Sequence, residues 1–469
     1  MSGLKYIDEQ TPTFFISSSS LEGRFDPYYY NSALKDFTEN QNFPVKKIYE
    51  VVKSFTSGFG VGRQDQADAD IGLIQIRPTN LDQFGLLKFD RNVYIPKDLI
   101  KHEGQLLEKG DVIFNNTNSQ EWVGKAAYYD LEERLAFSNH ITVLKVDDEQ
   151  IDPRYLWLIL NLYQQKKIFF SICTNWNNQS GVGLDLLKSL KIPVPDPRTQ
   201  ETIIETLQSG YQRRAELNNV CNSLLDGIDS YILNELGITL PEKDTSIEAR
   251  MFQTTFQELS GRRFDPSFHS YDFSLESTIY PNCPVLDLVD FEPGWKKVPK
   301  PETEVSFVPM DAVDDKMAAI VGTETRIVAY AKGYTKFQEG DILWAKITPC
   351  MQNGKSTIAI NLKNGYGYGS TEFYVLRCRS SVDPDYLLTL LRLKELRNCA
   401  TLYFGGASGH QRVSPSFFKN LVIPIPPIEK QREIGREANR RRFEAQRLSI
   451  EADKVLEDAR AEIEQMILN

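Results

Sequence analysis

The sequence has little of what a disulfide framework or a metal site needs. Its 469 residues include six cysteines, none of them in a Cys-x-x-Cys pair, and four histidines scattered at positions 102, 140, 269 and 410. We therefore expect no disulfide scaffold and no metal site, and a reducing, cytoplasmic location is the default expectation.

Long apolar runs are also absent. No stretch approaches the roughly 18 apolar residues of a membrane span, and the first ten residues lack the basic and apolar regions of a signal peptide. We expect no membrane partner, and a length of 469 residues suggests two or three domains. The net charge of −10 disfavours a protein that coats nucleic acid without specificity, although it leaves local DNA contact open.

Motifs for nucleotide binding and for DNA chemistry are missing as well. Gly354-Lys355-Ser356 ends like a phosphate-binding loop, but Pro349 stands in place of the first glycine and removes an N–H donor. The Pro426-Pro427 pair lacks the flanking residues with which amino-methyltransferases grip an extruded base, and no D…ExK nuclease arrangement occurs. We therefore expect no catalytic residue and no bound cofactor in this chain.

What the sequence does contain is an internal repeat. Four strings recur in the same order, the last three at an offset of 230 or 231 residues: RFDP from Arg24 and Arg263, KGDVIF from Lys109 and EGDILW from Glu339, DPRYL from Asp152 and DPDYL from Asp383, LKSLKIPVPDPRTQ from Leu187 and FKNLVIPIPPIEKQ from Phe418. Four matches in order do not arise by chance, so we predict two copies of one unit.

Each copy has the same predicted plan. Short alternating apolar runs, such as VSFVPMDAV and STEFYVLRC, are broken by Gly, Pro, Asn and Asp and predict strands of half-buried sheets. An Asp-Pro pair then opens a short helix, and a Pro-x-Pro turn opens a long one, since proline is tolerated in a first helical turn. The predicted fold class is α+β, with two similar mixed α/β domains of predominantly antiparallel sheets and two long antiparallel helices.

The two long helices are predicted from about Arg198 to Leu236 and from about Ile428 to Leu468. Their apolar residues step by three and four, the spacing of a narrow apolar seam. A helix of about 40 residues spans roughly 60 Å, so it must pack along a partner, most simply the other long helix. Residues 196–261 carry 11 acidic and 5 basic side chains, a balance that suits contact with protein better than contact with phosphate.

These patterns divide the chain into five predicted segments. They are a first domain (1–195), a central long helix (196–240), a linker (241–261), a second domain (262–427) and a C-terminal long helix (428–469).

The longest strings resemble a known family, the specificity subunits of type I restriction-modification systems, over essentially the whole chain. In the second copy they are WAKITPCMQNGKSTIA (344–359), GYGSTEFYVLR (367–377) and GGASGHQRVSPSFFKNLVIPIPPIEKQREI (405–434). In the first they are GDVIFNNTNSQEWVGKAAYY (110–129) and SGVGLDLLKSLKIPVPDPRTQETI (180–203). The first copy departs from the pattern, because it has Phe137-Ser138-Asn139-His140 where the second has GSTEF.

The resemblance implies an architecture and a set of partners. Two target-recognition domains would each read one half of a split, asymmetric site in double-stranded DNA. The long helices would act as a ruler and dock two methyltransferase subunits, which bring S-adenosylmethionine, and a translocating restriction subunit can join them.

Candidate DNA-reading residues follow from the chemistry of base recognition, in which Arg and Lys favour guanine and Asn and Gln favour adenine. They lie in polar loops beside small residues: Lys346, Asn353, Lys355, His410, Gln411 and Arg412 in the second copy, and Asn115, Asn116, Asn118, Lys125 and Gln179, beside Asn178, in the first. Each has an ordinary alternative, because Asn and Gln are common in loops and Asn-Gly is a hairpin signal. We further predict that Asp26 and Asp265 are turn or capping residues and that GSTEF (369–373) is core strand.

Three other functions stay open on the sequence alone. The chain could be an enzyme, a lone methyltransferase or nuclease with motifs we do not recognise, although the motif search argues against it. It could be a scaffold whose repeated domains bind protein. It could also serve another phage-defence or stand-alone DNA-modification system that has no type I nuclease.

Overall fold

The computed structural model describes residues 5–8, 11–13, 34–39, 42–177, 179–240, 253, 255, 274–406 and 410–468. Both RFDP strings, with Asp26 and Asp265, lie outside these residues, as do Asn178 and most of the predicted linker. The chain forms two compact units. Unit 1 consists of residues 1–214 and 453–469, and unit 2 consists of residues 215–452.

Unit 1 is built around a four-stranded antiparallel sheet of order β4-β11-β7-β9, beside two three-stranded sheets of order β10-β5-β6 and β12-β13-β8. Its strands are β1 (Lys5–Asp8), β2 (Thr11–Thr13), β3 (Val45–Lys47), β4 (Val52–Ser57), β5 (Leu73–Ile76), β6 (Tyr94–Ile95), β7 (Val112–Asn115), β8 (Thr117–Asn118), β9 (Ala126–Tyr128), β10 (Ala136–Phe137), β11 (Ile141–Val146), β12 (Thr174–Trp176), β13 (Gln179–Gly181) and β14 (Lys191–Pro193). The β5–β10 pair is parallel, and the other pairs in these sheets are antiparallel.

The helices of unit 1 cover one side of its central sheet. They are α1 (Leu34–Thr38), α2 (Pro153–Gln165), α3 (Ile168–Ile172), α4 (Leu184–Ser189) and the first part of the long α5 (Pro197–Leu236). Tyr155, Ile159 and Tyr163 of α2 are fully buried and join one core with β7 and with residues of both long helices.

Unit 2 repeats this plan with two four-stranded sheets, of order β16-β23-β20-β21 and β18-β17-β22-β19. Its strands are β15 (Asn282–Pro284), β16 (Val289–Phe291), β17 (Glu304–Val308), β18 (Glu324–Ile327), β19 (Thr335–Gln338), β20 (Ile342–Ala345), β21 (Ser356–Ile358), β22 (Tyr366–Gly369), β23 (Phe373–Cys378), β24 (Phe404–Gly405), β25 (Arg412–Val413) and β26 (Val422–Pro424). Its helices are α6 (Pro384–Leu391), α7 (Lys394–Thr401), α8 (Ser416–Asn420), residues 215–236 of α5 and most of the long α9 (Ile428–Leu468), whose last part, from residue 453, belongs to unit 1. The β17–β22 pair is parallel, like β5–β10 in unit 1.

The aspartate of the Asp-Pro motif caps a helix in both units. Asp152 caps α2 by accepting from the Arg154 N–H at 2.7 Å, and Asp383 caps α6 by accepting from the Asp385 N–H at 3.0 Å. A buried glutamine at the start of each long helix, Gln200 or Gln431, accepts from the N–H of the capping aspartate at 2.9 Å. The repeated sequence motifs therefore make the same hydrogen bonds in both units.

Within each unit the two long helices run antiparallel, as predicted. In unit 1 a Cβ on Gly210 of α5 would stand 2.9 Å from the Cβ of Ala459 of α9, which shows how closely the backbones approach. In unit 2 Arg441 of α9 donates to the Gly227 carbonyl at 2.6 Å, and Lys430 pairs with Glu235 at 2.6 Å. Among the described residues, no helix has the length and apolar composition needed to cross a membrane.

Candidate nucleic-acid interface

In unit 1 a polar loop that follows a buried strand lies against a two-stranded hairpin. The loop leaves β7, and its short strand β8 pairs with β13 through Asn118 opposite Ser180. Two backbone hydrogen bonds fix Asn116 at this junction: its N–H donates to the His140 carbonyl at 3.0 Å, and its carbonyl accepts from the Val182 N–H at 2.9 Å. The predicted residues of both stretches, more than 60 residues apart in the chain, are thus neighbours.

Unit 2 has the same junction. The N–H of Lys346 donates to the Glu372 carbonyl at 2.8 Å, and its carbonyl accepts from the Val413 N–H at 2.9 Å. Lys346 is therefore equivalent to Asn116, Glu372 to His140, and Arg412 to Gly181, the residue before Val182. The backbone frame is shared, while the side chains on it differ.

An open groove runs along this junction in unit 1. We call it the unit 1 groove, and it is lined by Arg77, Lys88, Arg91, Asn118, His140 and Gln179 among others. Asn118 and Gln179 were predicted from the sequence, whereas the three cations and His140 were not. The cations come from the connection between β5 and β6, which lines the groove together with residues of β8.

The unit 1 groove is basic although the whole chain is acidic. Lys88 and Arg91 are exposed, and neither forms an ion pair with any residue that the structure describes. Arg77 donates through Nη2 to Gln75 Oε1 at 3.0 Å, and burial lowers the pKa of its guanidinium. Cations without carboxylate partners, beside amide groups, can bind phosphates and base edges together.

In unit 2 the exposed cation at the junction is Arg412. Its Nε and Nη2 donate to the Glu372 carboxylate at 2.8 and 2.6 Å, and its Nη1 donates to the His410 carbonyl at 3.1 Å. The hydrogen bond from Arg412 lowers the pKa of Glu372. Nearby, the Lys346 ammonium lies 4.8 Å from the centre of the Tyr374 ring.

The other predicted residues at the two junctions differ in how far their side chains are already hydrogen-bonded or buried. Asn116 is engaged on both sides of its amide, with Thr142 Oγ1 and Thr117 Oγ1 at 2.8 Å each. Asn118 accepts from the Ser119 N–H at 2.8 Å, while its Nδ2 has no acceptor among the described residues. Gln179, Asn353 and His410 are exposed, and Gln411 is half-buried, its carbonyl accepting from the Thr348 N–H at 3.0 Å.

Three predicted DNA-reading residues have structural roles instead. Asn115 is fully buried, and its Nδ2 donates to the Trp122 carbonyl at 3.2 Å, so no base can reach it. Lys125 is 8% exposed and donates to the carbonyls of Pro78 and Leu81, and burial lowers its pKa.

Lys355 has the same role in unit 2. It donates to the carbonyls of Met310 and Val313 at 3.1 and 2.8 Å, the equivalents of Pro78 and Leu81. Each of these lysines therefore holds a short 3₁₀ turn, Pro78–Asn80 or Met310–Ala312, in place beside the junction.

The prediction of a core strand at GSTEF is wrong in its middle. Gly369 ends β22 and Phe373 begins β23, while residues 370–372 form the connection between them. The connection places Glu372 beside Arg412. The mixed composition Ser-Thr-Glu, more polar than a buried strand tolerates, is the sequence signal for it.

No metal site is formed by the described residues, since no three His, Cys, Asp or Glu side chains stand close enough to share an ion.

Comparison with known protein families shows the family to which the chain belongs. The family described as type I restriction modification DNA specificity domain matches residues 76–225 and 300–437, together more than half of the chain. The chain belongs to this family. The two matched stretches fall one in each copy of the repeat.

Individual proteins that are similar in sequence are specificity subunits of type I restriction enzymes. The specificity subunit of the type I restriction enzyme EcoAI from Escherichia coli is 39% identical over 137 residues, which are 28% of this chain and 23% of that protein. The specificity subunit of the type I restriction enzyme EcoKI from Escherichia coli strain K12 is 22% identical over 359 residues, covering 74% of this chain and 71% of that protein.

The fold has a solved counterpart as well. It comes from work on complex assembly and conformational transition of the type I R-M system, with a TM-score of 0.50 and 14% sequence identity. The similarity covers 91% of this chain and 97% of the other, so the two chains have similar folds at low sequence identity.

Proposed function

We propose that this chain is the DNA-reading specificity subunit of a type I restriction-modification system. Unit 1 and unit 2 would each read one half of a bipartite, asymmetric site in double-stranded DNA. The observation that carries the proposal is the shared junction: one backbone frame, fixed by the same hydrogen bonds, carries Asn116, His140 and Gly181 in unit 1 and Lys346, Glu372 and Arg412 in unit 2. A reader of two different half-sites needs such a constant frame with variable side chains.

The base-reading residues follow from the exposed polar groups at each junction. In unit 1 we assign base reading to Asn118 and Gln179, together with Arg77, Arg91 and His140 of the unit 1 groove. Lys88 is assigned to phosphate binding. Asn116 is assigned no base contact of its own; its backbone hydrogen bonds to His140 and Val182 fix the loop that carries Asn118. In unit 2 we assign Lys346, Asn353, His410, Gln411 and Arg412. Asn115, Lys125 and Lys355 fix the loops that carry these residues.

The long helices are the proposed dock for two methyltransferase subunits. Phe443 and Ile450 of α9 are 70% and 64% exposed and lie seven residues apart, so they share one face of the helix. Apolar side chains exposed on one face of a helix give a partner chain apolar surface to bury, which supports this dock. These subunits would bring S-adenosylmethionine, and a restriction or translocase subunit would join through them, so the chain itself would act in the cytoplasm without catalysing a reaction.

The helices also supply the proposed ruler. Both α5 and α9 pass from one compact unit into the other, between Arg214 and Ala215 and between Ala452 and Asp453. A continuous helix resists bending, so the spacing of the half-sites would follow from helix length.

Sequencing of DNA methylation in a host with and without the gene tests the proposal. We expect a bipartite asymmetric methylated motif that disappears on deletion and returns on complementation. A host methylome that does not change would favour the protein scaffold. A motif that forms in a host without any restriction subunit would favour a stand-alone modification system.

The purified chain gives the complementary test. Alone, with S-adenosylmethionine or Mg²⁺, it should neither methylate nor cut DNA, and methylation should appear when the methyltransferase subunits are added. Methyl transfer or cleavage by the chain without partners would show that it is an enzyme.

A further inference from the structure

The five tryptophans of the chain are not distributed evenly between core and surface. Trp157 and Trp344 are 7% and 2% exposed, and half-buried Trp295 donates to the carbonyls of Phe337 and Gly367. Trp176 and Trp122, by contrast, are 46% and 41% exposed, and both belong to unit 1. An exposed indole leaves a large apolar surface in water, a cost that a structural contact or a bound partner can offset.

Trp122 has a structural reason. Its carbonyl accepts from the buried Asn115, and the Lys125 ammonium lies 5.6 Å from the centre of its ring. Asn115 ends β7 and Lys125 directly precedes β9, so Trp122 is held in the connection between these two strands, where it lines the unit 1 groove. Trp176 has no comparable partner for its indole N–H among the described residues.

Trp176 lies beside the groove because of its register in the hairpin. It pairs directly with Gln179, and directly opposed residues of an antiparallel pair place their side chains on the same face of the sheet. Gln179 lines the unit 1 groove. The indole therefore flanks a residue that we assign to base reading.

The hairpin also fixes the position of the indole. A Cβ on Gly181 would stand 2.4 Å from Cη2 of Trp176, so only glycine leaves room for the ring there. Asn177, at the turn, has a φ of 50°, a left-handed conformation that asparagine tolerates well. A ring held by its own backbone loses little conformational freedom when a ligand covers it.

Unit 2 fills the equivalent space with a different group. Gly181 corresponds to Arg412, as the hydrogen bonds of the neighbouring Val182 and Val413 show. Where unit 2 presents a guanidinium, unit 1 presents the face and edge of an indole. One position of the shared frame thus offers charge in one unit and apolar surface in the other.

We propose that Trp176 is a specificity-determining residue of unit 1 and contacts a thymine methyl group in the first half-site. This inference rests on the proposed function. The C5-methyl of thymine is the apolar group that the major groove of DNA presents, so it is the base feature that the apolar surface of an indole can contact. The same position makes the two units read different bases without any change of backbone.

The test uses the chain co-expressed with its methyltransferase subunits. Trp176→Ala should lower affinity for the methylated motif by about tenfold and relax one T·A position of one half-site, while Trp176→Phe should retain most of both. Replacing each thymine of the motif by deoxyuridine, one at a time, should weaken the wild-type complex at one position and leave Trp176→Ala indifferent there. Gly181→Ala, which displaces the ring, should reproduce the effect of Trp176→Ala.

Controls separate the inference from the proposed function. Tyr330→Ala removes a side chain that is 67% exposed in unit 2 and should change neither motif nor affinity. Melting curves report whether each variant folds, and the deoxyuridine series on the wild-type complex still tests the inference if Trp176→Ala does not fold. Wild-type affinity and motif in a folded Trp176→Ala, or no thymine position that is sensitive to deoxyuridine, would overturn the inference. A wild-type complex that binds no specific DNA would overturn the proposed function itself.

Discussion

Arg412 and Glu372 form a two-point ion pair on the surface of unit 2. The carboxylate of Glu372 accepts from Nε and Nη2 of Arg412, and the His410 carbonyl accepts from Nη1, although the Arg412 side chain is 47% exposed. A guanidinium has five N–H groups, so two remain free, one on each terminal nitrogen. Two such N–H groups can bind O6 and N7 of guanine together, so Arg412 is held in an orientation that suits the base contact that we propose for it.

Arg412→Ala should weaken binding to the methylated motif by about 1–3 kcal/mol and relax one position of one half-site, because one bidentate base contact is lost. Binding of the co-expressed complex to the motif and its single-base variants, at two salt concentrations, measures this. Arg379→Ala is the matched control, since Arg379 pairs with Asp290 on the surface of the same unit. If Arg412 touches only phosphate, all variants of the site will weaken equally and the salt dependence will become shallower.

Glu372→Gln should reduce discrimination at the same position, because the amide holds the guanidinium less firmly than a carboxylate does. The hydrogen bond from Arg412 lowers the pKa of Glu372 in the folded protein, so the ion pair persists above the unfolded pKa and is lost only as pH falls through the folded one. At the one position assigned to Arg412, discrimination by the wild type should therefore stay constant from about pH 8 down to about pH 5, above the usual glutamate pKa of about 4.3. A change in base preference at that position within that range would contradict the role of the pair.

Much of this fold could be predicted from the sequence, because its signals are local. The three-and-four spacing in α5 and α9, the Asp-Pro caps and the recurring strings each depend on residues close together in the chain. The contact between the loop after β7 and the β12–β13 hairpin could be predicted from these local signals only in part. Arg77 and Arg91 were missed because they enter the groove from loops whose path depends on packing between distant strands.

Lys125 and Lys355 show that the sequence repeat allows structural residues to be told apart from residues that read DNA. Lys125 and Lys355 occupy equivalent positions, 230 residues apart, and both bind carbonyl groups of a 3₁₀ turn. Residues that read two different half-sites should differ between the copies, whereas residues that hold the common frame should recur. Gly181 and Arg412 follow the first pattern, and the two lysines follow the second. Recurrence in the repeat was therefore evidence for a structural role.

Lys125→Met and Lys355→Met should each destabilise their own unit by about 1–3 kcal/mol, because two carbonyl groups lose their donor in a site with little access to water. Thermal unfolding should show the loss, while variants that remain folded should keep the base preference of the wild type. Lys332→Met, at an exposed lysine of unit 2, is the control and should leave the melting temperature unchanged. Loss of DNA binding without loss of stability would return the two lysines to the set of DNA contacts.

Phe443→Glu should weaken co-purification of the methyltransferase subunits, because a carboxylate would replace an apolar side chain at the proposed dock. Glutamate is a good helix former, so α9 should keep its stability. Ile279→Glu changes an apolar residue of unit 2 that is 62% exposed and lies outside the long helices, and should leave co-purification intact. Equal recovery of the methyltransferase subunits with wild type and Phe443→Glu would place the dock elsewhere.

Insertion of seven residues into both long helices should lengthen the spacer of the recognised site and leave both half-sites unchanged. The insertions belong between Arg214 and Ala215 in α5 and between Ala452 and Asp453 in α9, where the helices pass from one unit to the other. Seven residues are close to two helical turns, so the apolar seam stays in register. Insertion into α5 alone should destabilise the pair, since α9 would no longer match it. Methylation sequencing of the host reports the motif directly, and an unchanged spacer in a folded double insertion would refute the ruler.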